Sequence, residues 1–416
     1  MSGGWAASLA PLRDRRYRLV FSANSLSTLG DQIVPVALAF AVLHATGSPA
    51  ALGFVLLART VPQAVFLLTG GVWADRLPRQ RLMISSDLVR FFSQGVFAAL
   101  LLSGRNELWW MLLLQAVHGT AGAFARPASG GLIAQLLEPT LRQRGAALMY
   151  TVTSSATIVG PAAAGLLLAI SSPGLALAID AATFLVSALL LAGVKLPPRQ
   201  GTSERKHFAA DLLEGWHEVR SHSWLWSWIL NFAVFQFAIL SAFWVLGPVV
   251  SQRSLGGDTG WAVISVGTGV GGLIGSVIAV RWLPRRPLVA MAGALILAPI
   301  TLLGLAVPLS LATMTALAVL IGIAMSFGDA VWEGVLSNRV PEHLLSRVVS
   351  YDWMGSIVLR PIGLAIVGPI AAHAGSRTTL VGAAVLYFAA TAVAVAMPTT
   401  WRILSPGSGA KEMEPA

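Results

Sequence analysis

The sequence predicts an all-α integral membrane protein whose twelve transmembrane helices form two pseudo-symmetric six-helix bundles. Three observations carry that expectation. Only 11% of the 416 residues are charged and 56% are hydrophobic, where a soluble domain carries about 25% charged residues. Apolar runs of about 20 residues, enough for a helix to cross a bilayer core, recur along the whole length. The order of runs and breaks in the first half also returns in the second, about 200 residues on.

Hydrocarbon offers backbone amides no partner, so such runs must be helices or strands of a closed barrel. They lack the period-2 alternation of barrel strands, which leaves helices. With Gly and Pro as punctuation, spans fall near residues 18–44, 50–74, 82–103, 107–136, 145–170, 173–194, 224–250, 259–281, 287–308, 310–337, 346–372 and 375–398. The first follows Arg13, Arg15, Arg16 and Arg18 but is too long for a signal-peptide core, so it reads as a retained span.

The connections alternate in charge. Arg76, Arg79 and Arg81, then Arg142 and Arg144, Arg281, Arg285 and Arg286, and Arg339 and Arg347 fall on one side. The opposite connections hold single arginines at Arg105, Arg253 and Arg377. Basic residues concentrate in cytoplasmic loops, so both termini and the middle segment are expected in the cytoplasm. The formal charge of +10 is thereby a topology signal, and no nucleic-acid partner is expected.

The middle segment, residues 195–222, reads as a cytoplasmic linker. Its stretch "DLLEGWHEVRSHSW" suits an interfacial helix anchored by Trp216 and Trp224. It separates a bundle at 1–194 from a bundle at 223–400, followed by a cytoplasmic tail at 401–416.

The halves repeat in detail. "LLEPTLRQRGAALMY" before the fifth span parallels "RVPEHLLSRVVSYDW" before the eleventh, and "GGVWADRLPRQRLMI" parallels "GSVIAVRWLPRRPLV". Duplicated six-span halves are a transporter architecture, with substrate bound near the midplane. Cysteine is absent, which excludes disulfides and thiolate metal sites. No metal-ligand spacing, cofactor motif or nucleophile cluster appears, so neither an enzyme nor a bound cofactor is expected. Without a phosphate-binding glycine loop, ATP drive is not expected.

Gly71-x-x-x-Asp75-Arg76-x-x-Arg79-x-Arg81 resembles the signature of the major facilitator superfamily between its second and third spans. Gly160-Pro161-x-x-x-Gly165 resembles the Gly-Pro motif of its antiporter branch. With "SLSTLGDQIVPVALAF" in span 1 and "AIDAATFLVSALLL" in span 6, the chain is similar to bacterial twelve-span drug, macrolide and siderophore exporters. Two departures stand out. Gln115 occupies the place of an arginine found four residues before a glycine in better-known exporters, and Arg281 stands where the first half has Asp75.

The resemblance implies a monomer in the inner (plasma) membrane that exports small hydrophobic or amphiphilic molecules against protons, conferring multidrug resistance. A proton symporter for uptake is the alternative. It also implies that Gly71, Asp75, Arg76, Arg79 and Arg81 form a conformational latch. Asp75 would pair with cationic groups and a helix dipole at Ser346–Arg347; the plain alternative is a solvated turn. Pro161 is expected to kink span 5, and Gly160 and Gly165 to allow close approach.

Charges at a helix centre cost about 2.5–3.5 kcal/mol, so each needs a partner or a function. Asp31, Arg59 and Arg360 fall near the midplane, and Asp180 lies in the outer half of span 6. These four are candidates for proton coupling or substrate charge; Asp31 and Arg59 could equally form a structural pair. Arg126, Asp329 and Glu333 lie towards the cytoplasm as a candidate inner gate, since the repeat places Arg126 opposite Asp329. His118 reads as a helix-to-helix hydrogen-bonding residue. Trp73, Trp109, Trp110, Trp224, Trp261, Trp282 and Trp401 read as interface anchors.

Overall fold

The structure is a computed structural model that describes residues 9–195, 216–307 and 309–405. Within these, the side chains of 67–76, 126–127, 131, 134, 139, 342–343, 346–347 and 357 lie outside the description. The described residues form helices and no strands. In chain order these are α1 (Arg15–Thr46), α2 (Pro49–Arg76), α3 (Arg79–Leu102), α4 (Leu108–Leu136), α5 (Pro139–Ile170) and α6 (Pro173–Ala192). There follow α7 (Ser223–Ser254), α8 (Gly257–Arg281), α9 (Pro287–Ala306) and α10 (Leu311–Arg339). The series closes with α11 (Glu342–Ile357 and Arg360–Ala374) and α12 (Ser376–Ala396). Eleven helices among the described residues are long and apolar enough to cross a membrane. The 29-residue α4 fills the remaining place in the order.

Local chemistry sets the ends. Asp14 caps α1 by accepting from the amides of Arg16 (2.7 Å) and Tyr17 (3.3 Å). Gly47, with φ of 63°, closes the same helix in a left-handed turn. Ser172 and Ser310 cap α6 and α10 through the amides of Leu175 and Thr313. Proline opens α5, α6 and α9, where its missing amide hydrogen costs no helical bond.

Two compact units emerge. The first is Met1–Ser203 with Ser251–Val266; the second is Glu204–Val250 with Gly267–Ala416. Helix α8 therefore begins in the first unit and ends in the second. In the first, α6 packs against α1 and α3, and α4 packs against α2 and α3. In the second, α8 lies against α10 through Gly271 and Gly275. A methyl group at either would collide with the backbone of Val319 or Ile323. Lipid does not drive helices together, so this close contact supplies the packing that hydrophobicity supplies in water.

Two spans depart from the expected straight runs. Span 11 is interrupted at Val358–Leu359, because Pro361 cannot donate a hydrogen bond back into the preceding turn. Arg360 begins the second segment instead of lying within a continuous helix. In α7, Phe235–Leu240 forms a π-helical turn. The Ser241 hydroxyl bridges the two irregularities, donating to the carbonyls of Gln236 (2.9 Å) and Arg360 (3.4 Å).

Most of the linker, 196–215, lies outside the described residues. Residues 216–221 are helical, with the Trp216 ring 5.7 Å from Tyr351. Trp110, Trp224 and Trp261 are buried within their units rather than anchoring an interface. The tail is described to residue 405, where the amide of Ser405 donates to Arg285 O and Arg339 donates to Leu404 O.

Replacing Gly271 by Val should lower the thermal midpoint of the detergent-purified protein, by overpacking worth about 1–3 kcal/mol. Gly293→Val, where no atom of a neighbouring helix lies within 4 Å of an added Cβ, should leave it unchanged. Tryptophan fluorescence on heating reads both.

Candidate functional site

Five helices of the first unit bring their polar side chains to one place. Asp31 of α1 accepts from Arg59 of α2 (Nη2 to Oδ1, 3.1 Å) and from Arg90 of α3 (Nη1 to Oδ2, 3.4 Å). Arg90 also pairs with Asp87 one turn earlier, and its guanidinium lies 4.1 Å from the centre of the Phe184 ring of α6. The Ser187 hydroxyl donates to Asp87 Oδ2 at 2.6 Å. Asp87 and Arg90 are almost fully buried, whereas the Asp31 side chain keeps 36% of its surface. The result is a chain of alternating charge, Arg59–Asp31–Arg90–Asp87, laid across three spans.

Beside it runs a neutral chain. Gln115 of α4 donates to Gln94 Oε1 (3.1 Å), and Gln94 of α3 donates to Asp180 Oδ2 of α6 (3.0 Å). Gln94, Gln115 and Asp180 are fully buried. The amide at position 115 thus serves a hydrogen-bond network. His118 is buried too, with Nε2 4.0 Å from Asp31 Oδ1 and its ring edge-on to Phe184.

Of the residues marked by sequence, Asp31 and Arg59 meet directly and Asp180 joins their surroundings through Gln94. Sequence reasoning missed Asp87, Arg90 and Gln94. The signal for Asp87 and Arg90 was legible: an aspartate and an arginine three apart inside an apolar run lie on one helical face and require each other.

The motif residues fare unevenly. Gly71, Asp75 and Arg76 lie among the undescribed side chains, as do Ser346 and Arg347. The backbone of 71–76 is nonetheless helical, so the charged stretch is split between the end of α2 and the start of α3, and the connection is only Leu77–Pro78. Arg79 is half-buried and Arg81 exposed. Between them Gln80 donates to the carbonyls of Leu191 and Val194, both at 2.7 Å, tying the start of α3 to the end of α6. Pro161 sits within the unbroken helix α5. Gly160 lies where a methyl group would strike Gln32, the residue after Asp31, and Gly165 faces Ala262.

In the second unit Asp329 and Glu333 are exposed on α10. Asp329 feels the charge of Glu333 and of Asp352 on α11. Asp352, unmarked by sequence, is buried; it accepts from Trp332 Nε1 (2.9 Å) and from Ser356 (3.4 Å). Arg360 is half-buried at the break in α11. The side chain of Arg126 lies outside the description, so its expected partnership with Asp329 does too. Among the described residues no group of His, Asp or Glu has the arrangement of a metal site.

Among the described residues, twelve long helices in two units, eleven of them apolar enough to cross a membrane, with a charge network inside the first, have the build of a polytopic membrane transporter. The chain belongs to the Major Facilitator Superfamily, whose family model matches residues 20–358. That is a family of transporters, not of enzymes. The chain is 30% identical over 236 residues to a protein named as the bacilysin exporter BacE of Bacillus subtilis (strain 168); the match covers 55% of this chain and 57% of that protein, so it spans little more than half the relative's length. It is 25% identical over 396 residues to the multidrug efflux pump Tap of Mycolicibacterium fortuitum, covering 91% and 95% of the two chains. Among solved structures, the nucleoside transporter NupG superposes with a TM-score of 0.72 at 13% identity, over 91% of this chain and 99% of that one. At that identity the likeness is one of fold.

Breaking the most buried pair should be costly. Arg90→Met strands Asp87 and half of the Asp31 interaction, and should destabilise the first unit by about 3–5 kcal/mol. Adding Asp87→Leu removes the orphaned charge and should recover most of that loss, because Arg59 still neutralises Asp31. Thermal midpoints of the single and double variants check this.

Proposed function

We propose that this protein is a proton-coupled exporter of hydrophobic or amphiphilic small molecules, of antibiotic, drug or siderophore type. It works as a monomer in the plasma membrane by alternating access, with both termini cytoplasmic. The observation that carries the reading is the Asp31 carboxylate shared between Arg59 and Arg90 inside the span of the bilayer. Each such charge costs about 2.5–3.5 kcal/mol to insert, and apolar side chains would hold three helices together without that cost. A carboxylate balanced between two cations suits coupling, since a change of charge nearby that draws one cation away breaks a contact between helices. A shift of that kind biases two conformations only as far as the ligand prefers one of them.

The relatives named as efflux proteins support the outward direction. Gly160 and Gly165 support sliding contacts along α5, one of them beside Asp31. The charged stretch from Gly71 to Arg81 supports a cytoplasmic latch, through Asp75. The proton gradient supplies the energy in this reading, as the sequence carries no nucleotide-binding loop.

Everted vesicles with an imposed pH gradient, acid inside, should accumulate drug when they contain the wild-type protein. Asp31→Asn leaves Arg59 and Arg90 facing each other and should cut the gradient-driven rate by about tenfold or more, the effect of roughly 1.4 kcal/mol of lost coupling. Drug moving in the same direction as protons would instead establish uptake symport. No response to the gradient across a broad panel would remove the exporter reading.

A further inference from the structure

The four charges of the network have a simple balance. Asp31 and Asp87 carry two negative charges and Arg59 and Arg90 two positive ones, and all four are paired with one another. Asp180 stands outside that balance. It has no accessible surface, and its one side-chain partner is the neutral amide of Gln94. Its second oxygen, Oδ1, is buried without any hydrogen-bond partner. That oxygen lies against Gly30, where a methyl group would stand 2.6 Å from it. The same neutral chain ends in a second orphan, the buried acceptor Gln115 Oε1.

An ionised carboxylate in such a place would need a counter-charge that the neighbourhood has already used. A protonated carboxyl needs none, and its requirement is a single acceptor. From this arrangement we infer that Asp180 is the proton-carrying carboxyl of the transporter, while Asp31 stays ionised between its two arginines. The inference rests on the proton-coupled reading for its role in transport, but the bound proton itself does not.

The groups facing Asp180 are few. Gln94 and Arg90 come from α3, Gly30 and Asp31 from α1, Arg59 from α2, Gln115 and His118 from α4, and Thr183 from its own helix; of these, Asp31, Arg59, Arg90 and His118 are charged or titratable. When the proton leaves, the new carboxylate is one negative charge in excess. Arg59 or Arg90 is then drawn from Asp31 towards Asp180, and the α1–α2–α3 contact loosens. Rebinding of one proton restores the original pairing, so one proton enters and one leaves per cycle.

Infrared spectroscopy of the purified protein in lipid nanodiscs at neutral pH tests this without any substrate. The wild type should show the carbonyl stretch of a protonated carboxyl, shifted in heavy water. Asp180→Asn keeps the size of the side chain and should lose that band. Gln94→Leu, which leaves the carboxyl in place but removes the donor to Oδ2, should move the band. If the spectra of the wild type and Asp180→Asn coincide, with Gln94→Leu also unchanged, Asp180 holds no proton and the inference falls. If the band belongs to Asp180 but wild-type vesicles ignore a pH gradient, the transport reading is what fails. If both stand, Asp180→Asn should abolish gradient-driven accumulation while retaining drug exchange across vesicles at equal pH. Loss of exchange as well would make Asp180 a structural residue and overturn its coupling role.

Discussion

A charge placed in hydrocarbon must find its opposite close by, and much of the first unit follows from that requirement. Asp31, Arg59, Arg90 and Asp87 sit on three different helices. Each can be tolerated only if α1, α2 and α3 hold one mutual register. The pairing is therefore a constraint on helix rotation as well as a source of attraction. Close approach of the backbones makes it possible: Gly119 lets α4 meet α2 at Arg59, and Gly160 lets α5 meet α1 at Gln32. A larger residue at either would push apart the helices that carry the charges.

The same requirement separates the two units. The first gathers Asp31, Arg59, Arg90 and Asp87 into one paired network. The second exposes Asp329 and Glu333, buries Asp352 against Trp332 and Ser356, and places its irregular backbone at the π-turn of α7 and the break in α11. Irregular turns within membrane helices are tolerated where a side chain satisfies the freed carbonyls, which Ser241 does here. A duplicated sequence has thus diverged into a half that holds charge and a half that holds bends.

Much of this was legible beforehand. Composition and run length specify the class and the span order, because a bilayer admits so few solutions for an apolar chain. The Asp31–Arg59 pair was readable as an alternative because each charge is isolated in its run. Asp87 and Arg90 were equally visible and were passed over. Gln94 was not readable, since one amide in a helix gives no sign of which neighbour it meets. Pro361 signals the interruption of span 11, yet a proline alone does not tell a kink from a full break. The burial of Trp224 and Trp261 shows the limit of the interface rule. A tryptophan near a span end sits in the lipid boundary only if no neighbouring helix covers it.

The account stands or falls on whether Asp31 and Arg59 act as one unit. A double-mutant cycle with Asp31→Asn and Arg59→Gln, read on both thermal stability and gradient-driven drug movement, measures that directly. The expected result is a coupling energy of about 1 kcal/mol or more, within the range for contacting residues, with the double variant less impaired than the sum of the singles. Additive effects on both readouts would show that the two residues act independently and would contradict the account.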